Sequence, residues 1–318
     1  MEQIDILMAT YNGEKYIKAQ IDSILEQTYS NFRLIISDDC STDQTLKILR
    51  EYEKKDKRVE VYRQEKNLGY VKNFEFLLNK VQNNIYALSD QDDIWLPEKI
   101  EKSLENMKKN DSDLVFGDLL LIDENENIIS NSFWKNKGFD KKIKKDNQYS
   151  GLRLNNYVTG CTIVSKKSFL KDILPLPKES KYLIHDYWIA IVVSLKGKIS
   201  YETTPHIKYR QHTNNQVGNK MKSKELKNID EIRKMFIKVK KEHFTIFEQR
   251  KNLFTKTQQK ENQEALEYYE MLENIKNINF KKWILFCKLY KYENFRYFLA
   301  NFIILNMPLI GRLIYKGR

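Results

Sequence analysis

Three carboxylates within four residues, Asp90, Asp92 and Asp93 in SDQDDIW, make this the segment of the chain most heavily loaded for chemistry. Charges this close repel one another unless a cation or hydrogen bonds offset them. Hard divalent cations such as Mg2+ or Mn2+ take oxygen ligands, and they commonly bind one or two carboxylates together with substrate phosphate oxygens. The segment reads either as such a site or as an acidic turn that caps the following helix. A second pair, Asp38 and Asp39 in SDDCSTD, closes an apolar run. Asp39 suits hydrogen bonding to a base or ribose at a strand end, or capping of the helix that begins near Ser41. His212 in YRQHTNN either completes a metal shell, where neutral imidazole suits Mn2+ better than Mg2+, or touches phosphate, or is no ligand at all. Arg210, two residues before it, either offsets phosphate charge or is solvated at a strand end. No GxGxxG and no Walker A loop is present, which argues against a dehydrogenase and a P-loop kinase.

These residues need a frame that brings them together. Over the first hundred residues short β-branched runs alternate with helical segments, the pattern of βαβ units on a parallel sheet. Strands are expected over 4–10, 32–39, 59–64 and 84–90, with helices between them that carry apolar residues at helical spacing. The carboxylates then sit at carboxyl ends of strands, where open α/β sheets bind ligands. Further strands are expected over 113–123 and 198–212. The segment 157–170 reads as strand then helix, and 185–197 as a helix whose first turn carries His185 and Asp186. Residues 131–150, polar, basic and without pattern, read as a loop bordering the site. Beyond about residue 219 Gly and Pro nearly vanish, which marks a helical extension, so the expected division is 1–218 and 219–318.

The bulk composition sets limits. With 318 residues, 41% hydrophobic and 31% charged, the chain is long enough for one α/β domain and an appendage. A net charge of +12 implies an acidic partner: nucleic acid, an anionic membrane surface or phosphorylated substrates. Three widely spaced cysteines, Cys40, Cys161 and Cys287, indicate neither a disulfide framework nor a zinc site, and fit a reducing compartment. The start, MEQIDILMATYNG, has no basic flank before its apolar run, unlike a secretory signal. The expected location is therefore cytoplasmic.

The segments ATYNGEKYIKAQIDSILEQTYSNFRLIISDDCSTDQT, NLGYVKNFE and SDQDDIWLPEKI, in that order, resemble family 2 of the inverting GT-A glycosyltransferases, over about residues 3–215. DQDDIW, TGCT and HDYW together are similar to rhamnosyltransferase-like members of bacterial polysaccharide assembly. The resemblance implies a Rossmann-like α/β fold with a mainly parallel sheet and a nucleotide-sugar donor, either dTDP-rhamnose or a UDP-hexose. It implies that Thr10 and Tyr11 line the nucleotide pocket and Asp39 contacts the base. Asn67 and Gly69 match a turn flanking the donor. Asp90 and Asp92 match a DxD pair, with Asp92 the direct ligand of Mn2+ or Mg2+ and Asp90 nearer the ribose and the metal waters. Asp186 occupies the place of the catalytic base, consistent with an inverting transfer that needs one carboxylate to deprotonate the acceptor hydroxyl; the competing reading is a cap for the helix 187–196. His185 and Trp188 are candidate acceptor contacts, although a Trp at a helix start more often belongs to a core.

The aromatic and basic segment 281–318 suggests amphipathic helices at a membrane interface, drawn to anionic lipid at the inner face of the cell membrane. A lipid-linked glycan acceptor there explains the +12 charge without nucleic acid. The competing reading is a hairpin packed on the core or on a second subunit of a homo-oligomer. No run in the chain reaches the roughly 20 apolar residues of a spanning helix. A basic nucleic-acid-binding protein without catalysis is the alternative function, weakened by the lack of a binding motif and by strand-end acids that repel a phosphate backbone.

Overall fold

The computed structural model describes residues 2–137, 148–153, 156–178, 180, 182–212 and 229–274. The chain divides into two compact units, 1–178 with 184–215, and 179–183 with 216–318. The expected boundary after residue 218 falls within 213–228, outside the described residues.

The first unit opens with strictly alternating strands and helices: β1 (Ile4–Thr10), α1 (Ile17–Leu25), β2 (Phe32–Asp38), α2 (Thr45–Lys55), β3 (Val59–Arg63), α3 (Tyr70–Leu78) and β4 (Ile85–Ser89). There follow β5 (Ile94–Trp95), α4 (Lys99–Asn110), β6 (Leu114–Gly117), β7 (Leu120–Ile122), β8 (Ile128–Ser130), α5 (Phe133–Lys137) and α6 (Gln148–Leu152). The unit closes with β9 (Val164–Lys166), α7 (Leu170–Ile173), α8 (His185–Lys196), β10 (Ile199–Glu202) and β11 (Ile207–Arg210).

Seven strands form the central sheet in the order β10-β6-β9-β4-β1-β2-β3, in which β9 alone runs antiparallel to its neighbours. Helices on both faces account for the near-continuous apolar character of β1 and β2. One charge interrupts β1: Asp5 is fully buried, and its carboxylate accepts from Arg33 Nε at 2.9 Å and from the Gln82 and Asn83 amides at 2.7 and 2.9 Å. Thr10 lies opposite Asp38 and Met8 opposite Ser89 in the parallel register. Tyr11, Asp39 and Asp90 therefore leave three adjacent strands along one carboxyl edge, the expected place for a ligand.

The structure corrects two expected strands. Residues 113–123 and 198–212 each break in the middle, and their second halves join a four-stranded sheet of order β5-β11-β7-β8. In the first, Asp118 turns the chain: its carboxylate accepts the Leu119 and Trp134 amides at 2.8 and 2.9 Å and bonds the Ser132 hydroxyl. In the second, Pro205 lies between β10 and β11, where its missing N–H cannot serve a ladder. Both crossings run side by side, since β6 pairs with β10 and β7 with β11, all parallel. β11 also pairs antiparallel with β5, the two residues after Asp93, and this carries His212 back to the acidic loop. The segment 131–150 is not loop throughout: 133–137 are helical and Trp134 is buried, while 138–147 lie outside the described residues.

In the second unit α9 (Ile229–Gln249) and α10 (Lys256–Asn274) are joined by a 3-10 turn, Lys251–Leu253. Phe244 stacks on Tyr269 at 5.8 Å and meets Phe247 edge to face at 5.5 Å, so aromatic burial holds the hairpin. Among the described residues no helix is long and apolar enough to cross a membrane. The segment 281–318 lies outside the described residues.

Candidate functional site

On the β1–β2 side of the edge, Asp39 is buried, and its two oxygens accept the Leu68 and Gly69 amides at 2.7 and 2.8 Å. It caps no helix, because α2 begins at Thr45 with Gln44 in the cap position. The carboxylate instead holds the turn before α3, where Asn67 Oδ1 accepts the Gly69 amide at 3.1 Å. Gly69 has φ +80 with open space where a Cβ would stand, so its conformation, not crowding, calls for glycine. Tyr11 stands at the rim, 40% exposed. Thr10 is buried, with its hydroxyl directed to Asp38 Oδ1 at 3.4 Å and to the Ser37 carbonyl at 3.5 Å. It pins the carboxyl ends of β1 and β2 together.

The acidic loop follows β4. Asp92 Oδ2 lies 2.8 Å from His212 Nε2, and the imidazole leans on the Tyr16 ring with centroids 5.1 Å apart. Asp90 is pushed up to about 8, first by burial and then by the charges of Asp92 and Asp186. Asp93 is fully buried, accepts the Arg210 amide at 3.2 Å, and is raised well above the carboxylate range by burial and its two acidic neighbours. Burial, and after it the charges of Asp93 and Asp90, push the adjacent Cys161 thiol well above its ordinary range.

Two donor sets for a cation overlap here. Asp90, Asp93 and Cys161 each offer an atom within 4.8 Å of the others. Asp93 and Cys161 are fully buried, however, and a protonated thiol is a poor ligand for a hard cation. Asp92 and His212 form the more accessible set, with Asp90 beside them. Asp90 is raised by burial first and then by the charges of Asp92 and Asp186; a cation held by this oxygen and imidazole set would offset those charges, so the residues fit the group.

Arg210 does not face a phosphate. It is 1% exposed, stacks over Tyr16 at 4.7 Å, and donates to the Asp92 carbonyl at 3.0 Å, the Glu124 carbonyl at 3.2 Å and Glu126 Oε1 at 3.1 Å. It ties the acidic loop to the 123–127 turn. Because lysine cannot reproduce a planar fork, Arg210→Lys is expected to lower stability by about 2 kcal/mol. Urea denaturation checks this, and an unchanged midpoint would contradict the strut role.

On the far side Asp186 lies in the first turn of α8. The cap position belongs to Ile184, which supplies no side-chain bond, so the cap reading does not hold. Asp186 Oδ1 accepts the Tyr187 amide at 2.6 Å. Burial raises Asp186 to about 6, against the pull of the Tyr187 and Gly160 amides. Gly160, in the TGCT turn, permits the approach: a Cβ there would stand 3.1 Å from His185 Nε2 and 3.4 Å from Asp186 Cβ. His185 stacks on Phe74 at 4.0 Å, and burial pushes it down to about 3, so it is neutral. Neither ring nitrogen has a hydrogen-bond partner among the described residues.

Trp188 is corrected. It is fully buried and its indole N–H donates to the Ile173 carbonyl at 2.9 Å, so it has no face for a sugar. Trp188→Ala is expected to cost about 3–5 kcal/mol of stability, measured by chemical denaturation. A stable variant with a raised acceptor KM would restore the stacking role.

The sequence reading passed over Gln91, whose amide bonds the Tyr11 backbone, and Gly160, whose only signal was a glycine before a buried turn.

A mainly parallel sheet with an acidic loop at the carboxyl end of β4 defines the GT-A class of glycosyltransferase fold. Residues 5–174 match the family described as glycosyl transferase family 2, and the chain belongs to that family. It is 31% identical over 222 residues to the dTDP-rhamnosyl transferase RfbG of Shigella flexneri, covering 66% of this chain and 73% of that protein. It is 33% identical over 194 residues to an uncharacterised glycosyltransferase of Methanocaldococcus jannaschii, covering 60% of this chain. The chain spans 65% of the length of that relative and 66% of an uncharacterised glycosyltransferase of Haemophilus influenzae. Among solved structures, TarS 1-349 of S. aureus in complex with UDP-GlcNAc is similar at a TM-score of 0.60 and 18% identity, over 99% of this chain and 92% of that one. The mannosyltransferase PcManGT of Pyrobaculum calidifontis, in complex with GDP-Man and Mn2+, is similar at 0.52 and 13%, over 96% and 87%.

Proposed function

We propose that this chain is an inverting glycosyltransferase that moves a sugar from a nucleoside-diphosphate donor to a glycan acceptor in bacterial surface or capsular polysaccharide synthesis. The carrying observation is that the Gly160–Cys161 turn touches both acidic segments: a Cβ on Gly160 would stand 3.4 Å from Asp186 Cβ, while Cys161 offers its sulfur within 4.8 Å of the carboxylates of Asp90 and Asp93 in the acidic loop. Asp39 and the 67–69 turn, with Tyr11, border the nucleoside end. Asp92 and His212, with Asp90 beside them, would hold Mn2+ or Mg2+, which when bound supplies Lewis-acid stabilisation of the departing diphosphate. Asp186 accepts the proton of the acceptor hydroxyl as its oxygen bonds the anomeric carbon and the bond to the diphosphate breaks on the opposite face. Neutral His185 is the acceptor contact beside it.

RfbG supports dTDP-rhamnose as donor by its name. A UDP-hexose is supported by similarity to a UDP-Glc:alpha-D-GlcNAc-diphosphoundecaprenol beta-1,3-glucosyltransferase of Escherichia coli, 32% identical over 193 residues. The latter name also supports a lipid-linked acceptor, with the basic segment 281–318 making peripheral contact with the inner face of the membrane. A thermal-shift screen against UDP-, dTDP- and GDP-sugars, each with and without Mn2+, tests the reading, because ligand binding raises apparent stability by mass action. A metal-dependent rise with one nucleotide class is expected. No rise with any donor, together with binding to DNA or RNA, would overturn it.

A further inference from the structure

We propose that Gln91 is a positioning residue that locks Tyr11, and with it a stacked nucleobase, to the acidic loop; this rests on the nucleotide-sugar reading above. The Gln91 side chain reaches across to the end of β1. Its Oε1 accepts the Tyr11 amide at 2.9 Å, and its Nε2 donates to the Tyr11 carbonyl at 3.1 Å. The two bonds close a ring like that of paired strands, which requires a donor and an acceptor on one planar group. Glutamate has the acceptor alone and lysine the donor alone, while asparagine is one methylene short.

Gly13 makes room for this clamp. A Cβ on Gly13 would stand 2.3 Å from Gln91 Oε1 and 2.7 Å from Gln91 Cδ. Gly13 does not occupy the left-handed region, so the amide packed upon it, not the backbone, excludes a side chain.

The rest of the 11–14 turn is tied to the opposite side. Asn12 N–H donates to Ser41 Oγ at 2.9 Å, Asn12 Oδ1 accepts the Thr42 amide at 2.8 Å, and Gly13 N–H donates to Thr45 Oγ1 at 2.8 Å. Ser41 and Thr42 lie between β2 and α2, and Thr45 is the first residue of α2. Gln91 is the side chain that joins Tyr11 to the acidic loop. Tyr11 is one of three large hydrophobic side chains exposed among the described residues, and an aromatic ring open to solvent suits stacking with a planar heteroaromatic ring. A base stacked there is registered against Asp90 and Asp92, the immediate neighbours of Gln91, through one amide.

The test is a double-mutant cycle on the full chain, with isothermal titration of UDP, dTDP and GDP in the presence of Mn2+. Wild type, Gln91→Leu, Tyr11→Ala and the double variant are compared. Gln91→Leu and Tyr11→Ala are each expected to raise Kd for the bound nucleotide about tenfold, and the double variant to be no weaker than Tyr11→Ala within about twofold. In steady-state transfer the Gln91→Leu effect falls on donor KM and not on kcat. Gln91→Glu, which cannot donate, should match Gln91→Leu, and Gly13→Ala, which expels the amide without altering it, should reproduce the loss. Additive penalties in the double variant, or wild-type affinity in Gln91→Leu, would overturn the coupling while leaving the enzyme reading intact. A wild-type protein that binds none of the three nucleotides would remove the reading itself and the coupling with it.

Discussion

Asp186→Asn is expected to slow sugar transfer by orders of magnitude while making the protein more stable at pH 8. Loss of a general base lowers the rate by about 10²–10⁴-fold, read as kcat with donor and acceptor saturating. The stability gain follows from the carboxyl's own environment. Burial holds Asp186 at about 6 in the folded chain, above the ordinary aspartate value of 3.8. A raised carboxyl pKa means that the folded state binds the proton more tightly than the unfolded state. Its burial therefore costs little below pH 4, costs progressively more as pH rises towards 6, and reaches its full cost above that. Raising the carboxyl from 3.8 to about 6 corresponds to about 3 kcal/mol. Asparagine removes this cost and keeps an oxygen for the Tyr187 amide. The Tm of the variant should exceed wild type at pH 8 and converge with it near pH 4. In wild type, the acid limb of the kcat profile should fall near pH 6, where Asp186 takes up its proton. A variant that stays active, or is destabilised at pH 8, would remove Asp186 from the role of buried base.

Asp92→Asn is expected to erase the dependence of nucleotide binding on Mn2+ and to lower transfer by about a thousandfold, the equivalent of several kcal/mol of charge stabilisation. The readout is the thermal shift produced by nucleotide with and without the ion. Asp92 sits within hydrogen-bond distance of His212 Nε2, so His212→Ala should weaken the ion's effect in the same direction. The buried alternative is tested in the same experiment. If Asp93→Asn or Cys161→Ser abolishes the effect while Asp92→Asn preserves it, the cation belongs to the trio of Asp90, Asp93 and Cys161. The expected order follows from access: Asp93 spends one oxygen on the Arg210 amide and is sealed from solvent, whereas Asp92 is not.

Much of the frame was legible because its signals are local. Apolar runs of the right length, separated by helical periods, specify βαβ units, and adjacent parallel strands must release their following residues along one edge. That Asp39 and Asp90 follow strands along one edge needed no more than this, and the order of motifs carried the family. The breaks at Asp118 and Pro205 were harder. Pro205 stands in plain view in ETTPH, but Asp118 turns the chain only because Ser132 and Trp134 are there to meet its carboxylate. Reading each stretch as one strand hid the second sheet and the way β11 returns His212 to Asp92.

The sequence by itself determined the alternation of strands and helices, the acids at strand ends and membership of the glycosyltransferase family, because each rests on residue type and spacing along the chain. Only the tertiary structure decided that Trp188 is core, that Thr10 pins the end of β1 to that of β2, that Arg210 braces the acidic loop and that Gln91 clamps Tyr11. Those roles depend on where a side chain points and on what meets it from afar: Gln91 and Tyr11 are 80 residues apart, and Arg210 and Asp92 118. Periodicity encodes which face of an element is buried, but the partner of one polar atom is set only when distant segments pack.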